Sequence, residues 1–526
     1  MCDPAESARH HATVDVRLSP RRRDAGTSAT ALVPVLQACD ARARRGVARS
    51  HRHWVRLLHA RATVSTAALR EETAPSLPPA WSPVPARLGA GGRGWDLLLL
   101  CLSGFILTSV GRIHQLFPAL ALFRPVTVVG ILAIGLCLLD RVPPRRIYAF
   151  QIPATRWLLA LAVWMALSVP GALWPGGAFG TFRDFAKTAL IYFVIVRAVR
   201  SARDVERLAL VYVLAAVIFA AMVLTHNQFQ LDVGGRMERL YFYDSNDFAT
   251  YTVTALPLGL YFVMNGRRWL RVAACAASAV LATGLLWSGS RGGFLALLAV
   301  VAYFLLRFTS VQRSWRWTTV AVVGVLLTAV AGSTYWTRMS TVLHPSADYN
   351  LTDEQGRWRI WERGMGYMIQ HPVFGVGGGN FPRAEGTISP LVGRQRAGHG
   401  LKWGPPHNSY LQVGAELGVP GLIIYVAFIL SVCAALRTLP TAPGPPGVAD
   451  PTGLRSLERA RLAQSLTASL IGFAVGSFFL TLAYHDMLYT LAGMAVGLRQ
   501  VTVNALYPRS PRSPRPIRLP RAGALR

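Results

Sequence analysis

Two arginines and a histidine stand out by where they fall in the chain. Arg291 lies in Ser288-Gly289-Ser290-Arg291-Gly292-Gly293, between two apolar runs. An arginine stays protonated and offers a planar fork matched to phosphate oxygens. A charge at membrane depth is costly and usually faces a cavity or a partner. Arg357 opens Arg357-Trp358-Arg359-Ile360-Trp361, on an expected amphipathic helix with Trp361 and Met365 on the same face. Together the two arginines can clamp a diphosphate. The blander readings are a helix-end anchor reaching headgroups for Arg291 and a solvated loop charge for Arg357. His407, in Pro406-His407-Asn408-Ser409-Tyr410-Leu411-Gln412, precedes an expected helix. A neutral imidazole there can take a proton from an attacking hydroxyl, although a lone loop histidine is more often structural. Glu416 is a candidate to orient it, but the two are more than two helical turns apart in sequence.

A third polar stretch, Asp244-Ser245-Asn246-Asp247, follows Arg236 and Arg239. Arg239, Asn246 and Asn408 are expected to support the site. Several apparent motifs fail. Gly375-Val376-Gly377 resembles a dinucleotide fingerprint, but Asn380 takes the third glycine position and no βαβ unit surrounds it, so tight turns are expected. Ser290 lacks the preceding glycine of a nucleophile elbow, because that position is Ser288. His344, His371, His399 and His407 have no paired-ligand spacing, so no metal site and no cofactor is expected. The six cysteines lie mostly in apolar runs and suggest neither zinc nor a disulfide framework. His485-Asp486 reads as a polar hairpin turn or a supporting pair.

The elements that must hold these residues are membrane helices. Of 526 residues, 52% are hydrophobic and 15% charged, against about a quarter charged in a soluble domain. Apolar runs of spanning length recur from Trp95 onward. In lipid such runs must satisfy their own backbone, so they read as helices. Twelve spans are expected near 95–111, 123–139, 157–173, 182–198, 205–224, 248–264, 269–287, 292–308, 317–334, 415–436, 462–483 and 487–504. The fold class is all-α and polytopic. Residues 94–334 hold spans one to nine, 335–414 a large loop, and 415–504 spans ten to twelve.

The net charge of +30 sits mostly in short connections and in two basic tails, so it does not indicate nucleic-acid binding. Arginine clusters recur on alternate connections, for example Arg141, Arg145, Arg146 and Arg156, then Arg197, Arg200, Arg203 and Arg207. The positive-inside rule then puts both termini in the cytoplasm and the long loop outside. Residues 1–93, rich in Arg, Ala and Pro, are expected to be a disordered basic tail or an over-extended start. Residues 505–526 form a second basic cytoplasmic tail. No obvious internal repeat is present, and the polar motifs cluster at outer span ends, which disfavours a transporter.

Taken jointly, Ser288–Gly293, Arg357–Trp361 with His371-Pro372 and Gly375-Val376-Gly377, and His407–Tyr410 with Glu416, Gly418 and Gly421 closely resemble the O-antigen ligase/polymerase family of bacterial membrane glycosyltransferases. The likeness covers roughly residues 95–504. The resemblance implies a GT-C-like fold without a metal, with the loop on the periplasmic side of the inner membrane. It implies a polyprenyl-diphosphate-linked glycan as donor, and lipid A–core or a growing glycan as acceptor. It assigns diphosphate binding to Arg291 and Arg357 and general-base work to His407. Polymerase rather than ligase activity is the alternative within the family.

Overall fold

The computed structural model describes residues 94–140, 151–225, 244–343, 353, 356–397, 403–439 and 454–506, all within the compact unit of residues 88–526. The expected tail 1–93, Arg239, and nearly all of the tail 505–526 lie outside the described residues. Among the described residues the protein is entirely helical. The longer helices are α1 Leu97–Phe105, α2 Pro125–Leu139, α3 Pro153–Ser168, α4 Pro175–Ala198, α5 Ala202–Thr225, α6 Ser245–Asn265, α7 Arg268–Ser288, α8 Arg291–Arg307 and α9 Arg313–Val330, followed by α10 Arg357–Gln370, α11 Ser409–Arg437, α12 Ser456–Gly476 and α13 Asp486–Leu506. A helix lies at each of the twelve expected positions, and α10 is the principal helix of the loop. Four segments are long and apolar enough to cross a membrane by length and composition: α5, α7, α11, and α12 extended to Phe479. Others are shorter, or carry charges, as α4 does at Arg183, Asp184, Lys187 and Arg197.

Small residues set the packing. A Cβ on Gly472 of α12 would lie 3.0 Å from Val253 of α6, and one on Gly284 of α7 would lie 2.8 Å from Phe248. Such positions let membrane helices approach closely. α6 is thereby enclosed by α5, α7, α8 and α12. A buried hydrogen bond ties α5 to it: the Tyr212 hydroxyl on α5 shares a 2.8 Å hydrogen bond with Thr254.

Three features depart from the sequence expectation, and each matters for the site. α1 passes into a π-helical turn, Ile106–Val110. The span expected at 462–483 stops being α-helical at Gly476, where a side chain would collide with Thr250; a 3-10 turn, Ser477–Phe479, and irregular chain follow. α11 begins at Ser409, inside the expected loop, and breaks at Gly418 (φ +72°).

The break is fully accounted for in hydrogen bonds. Pro420 has no N–H to give the carbonyl of Glu416, and Gly418 turns the chain away from the helical path. The loop makes up the loss. Val376 N–H donates to Ala415 O and Gly377 N–H to Glu416 O, both at 2.9 Å, while Val419 N–H reaches Pro372 O at 2.9 Å. The indole of Trp164 on α3 donates to Leu417 O at 2.9 Å. Gly375 (φ +65°) and Gly418 permit this main-chain contact, because a Cβ on either would overlap the backbone it faces. The Gly375-Val376-Gly377 stretch therefore docks a loop onto a broken helix.

Candidate active site

Five helices begin at one polar region: α6 after Asp244, α8 after Ser290, α10 after Gly356, α11 after Asn408, and α13 at Asp486. Asp244 caps α6 through the N–H groups of Asn246 and Asp247. Ser290 caps α8 by accepting from Gly293 N–H at 3.0 Å. Its hydroxyl also donates to the buried Asn246 Oδ1 at 2.8 Å, joining α8 to α6. Arg291, the first residue of α8, donates to the Thr341 hydroxyl at 2.9 Å. Arg357, the first residue of α10, lies close enough to Asp247 for its charge to act on that carboxylate, as does Arg112.

Trp361, one turn beyond Arg357, donates its indole N–H to Pro406 O at 2.8 Å. His407 follows directly, with a left-handed backbone (φ +48°), an uncommon conformation that His adopts more readily than most non-glycine residues. Its N–H donates to the Thr481 hydroxyl at 3.0 Å. Asn408 spends its side-chain oxygen on capping α11, accepting from Tyr410 and Leu411 N–H at 3.0 Å each. Glu416 is buried in α11, where Phe381 N–H of the loop points to its Oε1 at 3.4 Å. Asn408 and Glu416 therefore shape the scaffold, and Glu416 has the task of seating the loop.

The hub of these contacts is the Gly476–Asp486 connection, most of which the sequence reading placed in the span 462–483, with only His485-Asp486 read as a polar hairpin turn or a supporting pair. Phe478 packs on Trp361 at 5.4 Å between ring centroids and on Tyr410 at 6.1 Å. Phe479 lies against Gly292, where a Cβ would come within 3.1 Å. Leu480 O accepts from the Ser409 hydroxyl, which in turn accepts from Leu482 N–H, both at 2.8 Å. Arg112 Nη2 stands 3.4 Å from His485 Nε2, and Met487 N–H donates to His485 Nδ1 at 3.2 Å. Burial, reinforced by the Arg112 charge and opposed by Asp486, pushes His485 down to about 4. The Asp486 carboxylate takes hydrogen bonds from Ser109, in the π turn after α1, and from Thr188 on α4. One signal for Arg112 was present in the sequence: like Arg291, it sits at a span end where positive-inside bias does not call for a cation.

The loop has a small core of its own. Arg363 forms a two-pronged pair with the buried Glu385, through Nε at 3.0 Å and Nη2 at 2.6 Å, and the Tyr367 hydroxyl donates to the same carboxylate at 2.7 Å. Burial works against the Arg363 charge, but Glu385 more than offsets it and leaves the guanidinium above its ordinary pKa. Burial and the adjacent carboxylate push the Tyr367 phenol up. Among the described residues no three His, Cys, Asp or Glu side chains gather as a metal site.

Residues 276–426 match the family model described as O-antigen ligase. Over this segment the chain is similar to the O-antigen ligase family. The matched stretch contains Arg291, Arg357, His407 and the whole docking of the loop on α11. It ends before the Gly476–Asp486 hub. An uncharacterized protein of Haemophilus influenzae is 25% identical over 153 residues, covering 27% of this chain and 38% of that protein. The resemblance to O-antigen ligases thus rests on the segment that carries the candidate residues.

Proposed function

We propose that the protein is a glycosyltransferase of the O-antigen ligase/polymerase type. It would move a glycan from a polyprenyl diphosphate to an acceptor hydroxyl at the outer face of the bacterial cytoplasmic membrane, in surface polysaccharide or lipopolysaccharide biosynthesis. The carrying observation is that Arg291 and Arg357 each occupy the first position of a helix. A helix N-terminus is already positive, and a cation there adds to a local field that favours an anion. Two such ends near Asn246 and Asp247 suit a diphosphate, the N–H groups and guanidinium forks acting together.

The chemistry follows from that placement. His407 takes the proton of the acceptor hydroxyl as its oxygen bonds to the anomeric carbon. The bond from that carbon to the diphosphate breaks, and its electron pair leaves on the carrier. Arg291 and Arg357 neutralise the developing charge, the work a metal does elsewhere. Attack opposite the leaving group inverts the anomeric centre. The alternating arginine clusters support a topology with both termini cytoplasmic and the loop outside.

The test is transfer by purified protein from a polyprenyl-diphosphate glycan. Arg291→Ala and His407→Ala should lower the rate by about 10²-fold or more while the protein still accumulates in the membrane. Full activity in either would sink the assignment. Deletion followed by gel profiling separates the acceptors. Loss of all long chains from lipid A–core, with accumulation of lipid-linked glycan, marks a ligase; attachment of single repeats marks a polymerase.

A further inference from the structure

The turn of the loop after α10 is fixed against α11 and α3 by two independent contacts. Pro372 O accepts from Val419 N–H at 2.9 Å, the first residue of α11 beyond the break. Phe374 stacks on Trp164 with ring centroids 4.9 Å apart and planes 24° from parallel, and Trp164 lies one turn inside the outer end of α3. Beside these contacts both spans present apolar side chains outward: Val419 and Ile423 on α11, Val163 and Leu167 on α3. In a spanning bundle such surfaces face acyl chains.

The loop continues that surface. Val373 and Phe374 are exposed in the turn, and Met365 and Ile369 are exposed one turn apart on α10, with Ile369 at 69% of its full area. The opposite face of α10 is spent on protein, where Gly364 abuts Phe381 and Leu411 and Tyr367 is buried. A polar flank, the Arg359–Glu362 ion pair at 2.9 Å, borders the apolar stripe. An apolar stripe with a charged flank, continuous with lipid-facing helices, is the pattern of a helix lying in the membrane interface.

We propose that Met365, Ile369, Val373 and Phe374 are bedded in the acyl chains of the leaflet at this end of the bundle. α10 is then an interfacial helix, and its membrane seat fixes the depth of Arg357. This inference concerns the surface alone and stands whether or not the proposed transfer reaction is correct.

Spin labels on single cysteines, introduced into a cysteine-free background, test it in nanodiscs of phosphatidylethanolamine and phosphatidylglycerol. Labels at Ile369→Cys and Val373→Cys should collide with oxygen far more than with a water-soluble nickel chelate, as a label at Ile423→Cys does. A label at Thr387→Cys, on an exposed polar helix end, is the aqueous reference. Nickel collisions at 369 and 373 matching those at 387 would overturn the proposal. So would exclusion of both reagents, which would mean that protein covers the face. The unaltered protein provides a second reading. Hydroxyl-radical footprinting in the same nanodiscs should spare Met365 while labelling Trp403, the two being similarly exposed in the chain at 46% and 42%. Ready oxidation of Met365 would overturn the proposal.

Discussion

The indole N–H of Trp361 donates to the carbonyl oxygen of Pro406 at 2.8 Å, immediately before His407. One turn of helix from Arg357 thus ends on the residue that precedes the candidate base. A single hydrogen bond sets the register between a loop helix and the start of a membrane helix.

Trp361→Phe removes that donor but leaves an aromatic ring to pack on Phe478. Displacement of about 1 Å at a reacting group can cost on the order of 10²-fold in rate. We expect kcat to fall about 10-fold or more, with little change in thermal midpoint. Unchanged turnover in a purified assay would show that the bond does not set the register.

Gly375→Ala and Gly418→Ala place a side chain where the facing backbone stands, at positive φ. The strain alone costs about 1–3 kcal/mol, and the overlap adds to it. Both variants should lose most of the monodisperse protein seen by fluorescence-detected size exclusion. Gly366→Ala, which meets nothing within 4 Å inside α10, should be neutral or stabilising by about 1 kcal/mol.

Glu385→Gln leaves Arg363 buried beside a neutral partner. Losing one member of a buried pair costs about 3–5 kcal/mol, so the loop should become sensitive to limited proteolysis. The double variant Arg363→Met/Glu385→Leu removes both charges and should recover much of the loss. Equal sensitivity of single and double variants would argue against an isolated charge as the cause.

His485 is buried as the neutral form, with its pKa pushed from 6.5 to about 4. An unfolded chain binds this proton below 6.5 while the folded one resists it. The stability it contributes is full above 6.5 and is lost as pH falls through the window from 6.5 to 4. The thermal midpoint in detergent should fall over that window, and His485→Asn should flatten the decline between pH 6.5 and 5. Parallel curves for the two proteins would refute the burial argument.

Much of this architecture was legible because apolar runs report themselves. A helix lies at each of the twelve positions where hydropathy placed one. Hydropathy averages over about twenty residues, however, so it reads composition and not where backbone groups find partners. It therefore missed the break at Gly418, where the partners come from residues 372–377, and the end of α12 at Gly476, which packs against Thr250. The grouping of Arg291, Arg357 and His407 as one site was an expectation that rested on the likeness to O-antigen ligases. Arg112 and the Gly476–Asp486 connection stayed hidden because their bonds join parts of the chain hundreds of residues apart, as Asp486 to Ser109 does. Glu416 drew notice as a possible partner of His407; burial and the Phe381 N–H give it to the loop instead.

The borrowed hydrogen bonds of α11 also bear on how the protein is made. Ala415, Glu416 and Leu417 offer carbonyls, and Val419 offers an N–H, that find partners only in residues 372–377 and in Trp164. In hydrocarbon an unsatisfied backbone group costs several kcal/mol. α11 is therefore a poor guest in lipid until residues 372–377 have folded back onto it and α3 is in place. Folding of the loop becomes a checkpoint in biogenesis: a nascent chain stalled before it should hold α11 at the insertion machinery, still awaiting the segment that completes it.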